Sequence, residues 1–520
     1  MSDTAFDAVF VGGGHNGLVA ATQLARKGLR VLVLEAGDRA GGGAADYEIH
    51  PGFRTPALAH VLPAFDRRAA RGLGLRRQGL QAGAGDMARV LLLPDGASMT
   101  LGPDPQQAAS ALRAHSAADA AAYPGFLQRL HRHTQALRPL LDGTPPRLHL
   151  ADRRNLLTLG RLGWSVRRRG RGAMRDLLRI ITMNVADLLE ETFESDAVKG
   201  AFALEAVLGT DHGPRSPNTV FTLLHRMAGL QPEGATAQAA GRAKPLLAAA
   251  TGAGVELRTG TRVAGVRVEG GAARGVTLTD GSTIDAGVVV SNADPVTTFR
   301  DLVGGDHLDA DFLAEVRALR MRGTTGKVNF ALERAPDLPQ PAGGGPARWL
   351  LAPSIDHVET AFDHVKYGEA VPEPALEITV PSLTQPDRAP AGGHVMSVNV
   401  AYAPYSDTLD PGDLGRTVTA LIERHAPGFG ASVLACDAWG PRQIEERFNV
   451  HGGHWHHGDI ALDQFFMVRP VPGCAQYRTP VDGLYLCGAG AHPGGGVTGT
   501  NGINAAREIL RDRRNGRQAA

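Results

Sequence analysis

The sequence has little that would brace it covalently: three cysteines, Cys436, Cys474 and Cys487, an odd number without C-x-x-C spacing. That excludes a disulfide framework and a redox-active dithiol, and fits a reducing compartment. An excess of charge is missing as well. The 54 Lys+Arg and 53 Asp+Glu leave a net charge of +1, so no nucleic-acid partner is expected, because phosphate binding draws on a basic surplus. No apolar run approaches the roughly eighteen residues of a spanning helix. Met1 to Ala5 are too short and polar for a secretory leader ahead of the first strand. A cytoplasmic protein is expected. The arginine-rich stretch from Arg161 to Arg179, with Leu, Trp and Ile interspersed, leaves peripheral membrane contact open, although a solvated arginine face on a packed helix is the commoner reading. Lysine is also scarce, limited to Lys27, Lys199, Lys244, Lys327 and Lys366. Where arginine is the default cation, a lysine inside a strand draws attention.

What is present is organised. A chain of 520 residues exceeds what one core usually supports, and two lobes are expected. Phe6 to Val11 (FDAVFV) reads as a buried strand, Gly12 to Gly14 as a tight turn, Leu18 to Lys27 as a helix, and Val31 to Leu34 as a second buried strand. From about Pro103 to Gly229 the pattern is helical, with breaks expected at Pro124, Pro145-Pro146 and Pro214. Short β-rich segments between Gly254 and Pro295 predict a small meander followed by a buried strand. From Gly326 to about Arg469 the runs VNFALE, LEITV and VMSVNVAY predict a second sheet that walls a pocket.

Gly12-x-Gly14-x-x-Gly17 follows a strand and opens a helix, and Glu35 ends the next strand, which is the context of a dinucleotide fingerprint. The glycines serve the turn, the approach of backbone to pyrophosphate and the packing of helix on strand, while the helix N-terminus offers unpaired N–H groups to phosphate. Glu35 is expected to accept from the adenosine ribose. A carboxylate there repels a 2′-phosphate, which disfavours NADP and leaves FAD and NAD open. Two further features favour FAD. Arg39, Gly41 and Gly42 follow Glu35 closely, and Gly483 to Leu510 reads as strand, glycine loop and helix, a loop that lets backbone approach a flat ring. A second G-x-G-x-x-G after a strand is lacking, so a dedicated NADPH domain is not supported.

Gly12-Gly13-Gly14-His15-Asn16-Gly17, the Glu35-x5-Gly41-Gly42 extension and the closing His492-Pro493-Gly494-Gly495-Gly496 resemble the phytoene desaturase-related branch of the flavin amine oxidase superfamily. The tract His457 to Gly473, followed by Tyr477-Arg478-Thr479-Pro480, is similar to the subgroup called pyridine nucleotide-disulfide oxidoreductase domain-containing protein 2. The resemblance implies an α/β fold, in which a discontinuous Rossmann-type FAD-binding domain (1–72, 235–300 and 470–520) joins a mixed-sheet substrate domain with a helical insertion (73–234 and 301–469). It implies FAD held by Gly12, Gly14, Asn16, Gly17, Glu35, Arg39, Gly41, Gly42, Gly488, Gly490, Gly495, Gly496 and Val497, with Val263 where relatives present backbone to adenine. Gln231 to Lys244 departs from the family pattern.

The activity implied is hydride transfer from an apolar or cyclic organic substrate to FAD, with electrons passing on to oxygen or a quinone. A flavin-dependent amine oxidase and an FAD-binding regulatory protein with little turnover are the alternatives. Lys327, in TTGKVNFALE, falls where amine oxidases of the superfamily present a lysine near flavin N5 through water; a strand-edge lysine is the equal alternative. His451, His454, His456 and His457 cluster without a carboxylate or thiolate at helical spacing, so no metal is expected, and pocket lining beside Trp455 is the better reading. His457 and Asp459 are the remaining catalytic candidates, and Arg469 closes their tract either as a site residue or as a plain ion pair. A homo-oligomer is compatible with all of this.

Overall fold

The computed structural model describes residues 6–516 apart from 63–64, 81–86, 148–156, 158, 161–162, 165–166, 169, 230–236, 239–242 and 342–343. Its first sheet has five parallel strands in the spatial order Glu256–Arg258, Val31–Leu34, Phe6–Val11, Thr283–Ser291 and Leu484–Leu486. Strands from both ends of the chain thus share one sheet. Val263–Glu269 and Ala272–Leu278 form a meander antiparallel to the beginning of Thr283–Ser291. A parallel sheet is covered on both faces, which is why its strands read as continuous apolar runs. Ala8 and Phe10 pack toward the helices His15–Ala25 and Thr500–Arg514, whereas Val9 and Val11 pack toward the meander. The two helices cross where Gly502 lies so near that a Cβ would stand 2.2 Å from the Asn16 carbonyl oxygen. This crossing ties the last segment of the chain to the first.

The second sheet runs Val433–Trp439, Thr325–Leu332, His394–Ala401, Ala375–Thr379, Ala347–Leu351, Ala88–Leu92 and Ser98–Leu101, with only the Ala347–Leu351 to Ala88–Leu92 pair parallel. Strand alternation divides its side chains. Val328, Phe330, Leu332, Val398 and Ile378 form an apolar core with helix Pro411–Glu423 on one face. The other face carries Lys327, Asn329, Asn399 and Glu377, all buried.

Helices Pro105–Leu112, Ala117–Asp142, Val185–Glu190, Asp196–Val207 and Thr219–Gly229 build the insertion and bury Tyr123, Phe126, Phe193 and Phe202 together. The expected break at Pro124 does not occur: Pro124 and Pro139 both lie inside Ala117–Asp142. Proline removes one backbone donor, yet the burial of Tyr123, Phe126, Leu127 and Leu130 on one face holds the helix through it. The first helix begins at His15 rather than Leu18, because it starts directly from the extended residue Gly14. Much of Arg161 to Arg179 lies outside the described residues; the helix Arg171–Ile180 buries Leu177 and Ile180 and leaves Leu178 and its arginines exposed. Among the described residues no helix is long and apolar enough to cross a membrane.

Candidate active site

A cavity of about 960 Å³ runs from the carboxyl edge of the first sheet to the polar face of the second. Such edges are where parallel α/β sheets bind ligands, and the volume is at the upper end for small-molecule pockets. Its first end is built by local chain geometry. The turn after Phe6–Val11 brings Gly12, Gly14 and Asn16 to the wall beside Glu35, Arg39 and Val263. Glu35 Oε2 accepts from the Gly13 N–H at 2.8 Å and Oε1 from the Gly37 N–H at 2.9 Å, so the acidic side chain is fixed by both flanking turns. Arg39 stands at the rim, exposed and 3.7 Å from Asp38. Gly17 is not on the wall. A Cβ there would stand 2.7 Å from the Gly12 carbonyl oxygen, and its N–H donates to Asn292 Oδ1 at 2.9 Å. Gly41 likewise serves the frame, donating its N–H to the Gly13 carbonyl at 2.8 Å.

The middle of the cavity is lined by Gly42, Gly43, Ala44, Leu58, Ala59, Gly496 and Val497. His15 of the opening motif lies 3.2 Å from the Gly496 carbonyl, which joins the two glycine segments across the cavity. Gly488 and Gly490 lie behind the wall, where a Cβ would meet the Asn292 carbonyl at 2.5 Å and Pro295 Cδ at 2.4 Å. Gly495 faces His456 instead, with only 1.9 Å between a would-be Cβ and the imidazole Nδ1.

The far end is lined by His60, Val61, Leu208, Arg226, Glu377, Asn399, Trp455 and His456, with the rings of Tyr47 and Trp439 nearby, tilted by 37° with centroids 5.2 Å apart. Strand register assembles it. Lys327 pairs with Asn399, and Asn399 with Glu377, on three adjacent strands. Lys327 itself has no exposed surface and lies outside the cavity lining. Its Nζ is 3.0 Å from both His60 Nδ1 and Asn399 Oδ1. Burial lowers the Lys327 ammonium to about 7, against the opposing pull of Glu377. Burial, and then Lys327, keeps His60 neutral. Glu377 accepts from Arg226 and Arg348 at 2.7 Å each and from Asn399 Nδ2 at 3.3 Å. Burial pushes its carboxyl up, but the two guanidiniums outweigh that and hold it well below the ordinary range.

The histidine tract is divided by its loop. His451, Trp455, His456 and His457 reach the cavity, whereas His454 turns inward, 3.7 Å from Asp459. Burial depresses both His456 and His457, the latter to about 4. The His457 carbonyl lies 3.2 Å from a would-be Cβ on Gly490, toward the first sheet, and His456 lines the same cavity as Arg226. Asp459 is fully buried away from the cavity, 3.1 Å from His212 Nδ1. Burial raises its carboxyl, and His212 and His454 overcome that and hold it ionised. Arg469 is fully buried and donates to the carbonyls of Asp459, Gln464, His456, Gly458 and Ala489 at 2.8 to 3.3 Å. It orders this wall through main-chain hydrogen bonds rather than through a plain ion pair. His60, Asn399, Glu377 and Arg226 were not singled out from the sequence, whereas His456 was, as a member of the histidine cluster expected to line a pocket. For Asn399 and Glu377 a signal existed: each is a polar residue with an apolar neighbour on either side in its strand.

The residues present fit FAD. Asn16 Oδ1 is buried at the cavity wall without a hydrogen-bond partner among the described residues, and the backbones of Gly14 and Gly42 approach so closely that a Cβ on Gly42 would stand 3.2 Å from Gly14 Cα. Such a groove admits a pyrophosphate between backbones. The fold and this groove define an FAD-dependent oxidoreductase. Residues 11–73 match an NAD(P)-binding Rossmann-like domain, and residues 83–510 match the flavin containing amine oxidoreductase family. The chain belongs to that family. It is 33% identical over 98% of its length to pyridine nucleotide-disulfide oxidoreductase domain-containing protein 2 of Mus musculus, of which it covers 94%. A limonene dehydrogenase subunit of Castellaniella defragrans is 26% identical over 97% of the chain and 94% of that relative. A phytoene desaturase of Fusarium fujikuroi is 24% identical over 96% of the chain and 87% of that relative. Among solved structures, a putrescine oxidase triple mutant superposes with a TM-score of 0.63 at 15% identity, covering 98% of this chain and 99% of that one, which shows a shared fold.

Proposed function

We propose that the protein dehydrogenates an apolar or cyclic organic substrate, as a desaturase-like member of its family, with residues 1–72, 235–300 and 470–520 as the FAD lobe and the remainder as the substrate lobe. FAD, when bound, would supply the hydride acceptor, with oxygen or a quinone as the onward electron acceptor. The observation that carries the reading is the charge of the far end. Glu377 is already engaged by two guanidiniums, and Arg226 borders the cavity. An ammonium substrate would meet repulsion there with no carboxylate left to receive it, whereas Val61, Leu208 and Trp455 suit an apolar body. The names of two relatives, a phytoene desaturase and a limonene dehydrogenase, support the same class.

Within this reading His456, held neutral by burial beside Arg226, accepts the proton that leaves the carbon next to the hydride donor, and a carbon–carbon double bond results. Lys327 acts through His60 as a positioning residue. Asp459 and Arg469 hold the loop that presents His456 and His457. Anaerobic titration of the FAD-loaded protein with a polyene, a cyclic terpene, an amine panel and NAD(P)H tests the proposal. Bleaching of the flavin band by the polyene or terpene is expected; bleaching by amines alone would replace the reading with amine oxidation, and a flavin reduced by none would favour a regulatory protein.

A further inference from the structure

We propose that the far end of the cavity is a subsite for a carboxylate, or an oxyanion of the same chemistry, carried on the apolar substrate, with the Arg226 guanidinium and the His60 Nε2–H as its donors. The inference rests on the dehydrogenase reading and narrows its substrate class to apolar acids. Two independent features carry it. The first is a charge count. Arg89, Glu205, Arg348, Glu377 and Arg226 form one buried chain: Arg89 Nε lies 2.7 Å from Glu205, Arg348 contacts both Glu205 and Glu377, and Arg226 Nη2 is 2.7 Å from Glu377. Three guanidiniums thus face two carboxylates. An unmatched charge in a low-dielectric interior is costly unless an anion or water meets it. Arg226, at 21% exposure, is the one of the three on the cavity wall, so the surplus faces the ligand space.

The second feature is an unused donor. Lys327 Nζ donates to Asn399 Oδ1 and stands 3.0 Å from His60 Nδ1, which also lies 3.3 Å from Ser397 Oγ; with the lysine as donor to Nδ1, the imidazole proton sits on Nε2. His60 is 1% exposed and lines the cavity, and its Nε2 has no hydrogen-bond partner among the described residues. The nearest carboxylate oxygen, on Glu377, is 4.0 Å away, beyond hydrogen-bonding reach. A buried N–H without a partner costs about 1 to 3 kcal/mol, and a bound oxyanion removes that cost. Glu377 engages and orients Arg226 while leaving its remaining N–H groups for the ligand. Leu58, Val61 and Leu208 complete an apolar approach to this polar end.

The test uses FAD-loaded protein without turnover, titrated with decanoate, decanol and decylamine while the flavin absorbance and tryptophan fluorescence are followed. Decanoate is expected to bind at least about tenfold more tightly than decanol, with decylamine weakest; tenfold corresponds to about 1.4 kcal/mol. Arg226→Gln and His60→Phe should each weaken decanoate by about tenfold and change decanol by less than about twofold. Equal affinity for decanoate and decanol, or tightest binding of decylamine, overturns the subsite. Should Arg226→Gln not fold, the wild-type panel and Arg226→Lys, expected to retain decanoate preference, still decide the matter. The failures are separable: a terpene that reduces the flavin in a protein indifferent to decanoate leaves the dehydrogenase reading and removes the subsite, while decanoate preference without any reducing substrate does the reverse.

Discussion

Lys327 Nζ stands 3.0 Å from His60 Nδ1, and of the two side chains only His60 reaches the cavity. The lysine therefore meets the ligand space through an imidazole, and its own proton is governed by burial. Its ammonium is lowered to about 7 from 10.5. Between those values the folded chain has shed a proton that the unfolded chain still holds, so stability rises with pH across that window. Below about 7 both forms are protonated and the whole penalty, a few kcal/mol, is present. In urea unfolding at pH 7 and pH 9.5, the wild-type midpoint should therefore rise relative to that of Lys327→Met, which lacks the titrating group. A parallel response of the two proteins would mean that Lys327 is not titrating in this interior.

Glu35 joins the two turns of the dinucleotide end by accepting from the Gly13 and Gly37 N–H groups. Glu35→Ala leaves both without this acceptor, and hydrogen bonds to a charged group contribute about 1.5 to 3 kcal/mol each. FAD affinity should fall by about tenfold or more, measured by flavin fluorescence on dilution, with Glu35→Gln intermediate because an amide oxygen still accepts one bond. Retention of FAD by Glu35→Ala at wild-type affinity would remove this residue from the cofactor site.

Gly495 leaves no room for a side chain, since a Cβ would lie 1.9 Å from His456 Nδ1. Gly495→Ala must push the imidazole away. Turnover with the reducing substrate found in the anaerobic screen should drop at least about tenfold, a size typical of losing a positioned acid or base, while flavin content stays near one per chain. Unchanged turnover in this variant would argue against His456 as the proton acceptor.

Arg478 locks the closing helix. Its guanidinium lies 2.7 Å from Asp512 Oδ2 and 2.9 Å from Glu508 Oε2, and Tyr485 donates to Asp512 at 2.9 Å. Removing one member of a buried ion-pair network costs about 3 to 5 kcal/mol. Arg478→Met should lower the melting temperature by several degrees and release FAD at a lower temperature than the wild type does, because Thr500–Arg514 begins just after the Gly496 wall. A melting curve that matches the wild type would show the network to be dispensable.

The dinucleotide end was legible in the sequence because its determinants are local. Phe6–Val11, the glycine turn, the helix from His15 and Glu35 lie within a single βαβ unit, and each carries a backbone demand that only certain residues meet. The glycine loop from Gly488 to Gly496 was legible for the same reason, although only the structure separates its packing glycines from those at the cavity.

The far end was decided by tertiary structure. Lys327, Asn399 and Glu377 become neighbours through strand register across separations of 72 and 22 residues, and His60 joins them from 267 residues away. Nothing in the local pattern of each strand encodes which polar residue will face another. The sequence by itself determined that this chain would fold around an FAD-type dinucleotide groove, because strand, turn and helix signals act over a few residues. Whether a lysine touches the cavity or stands behind a histidine, and what net charge meets the substrate, followed only from the packing of sheet against insertion, since burial and pairing of charge are properties of the assembled fold.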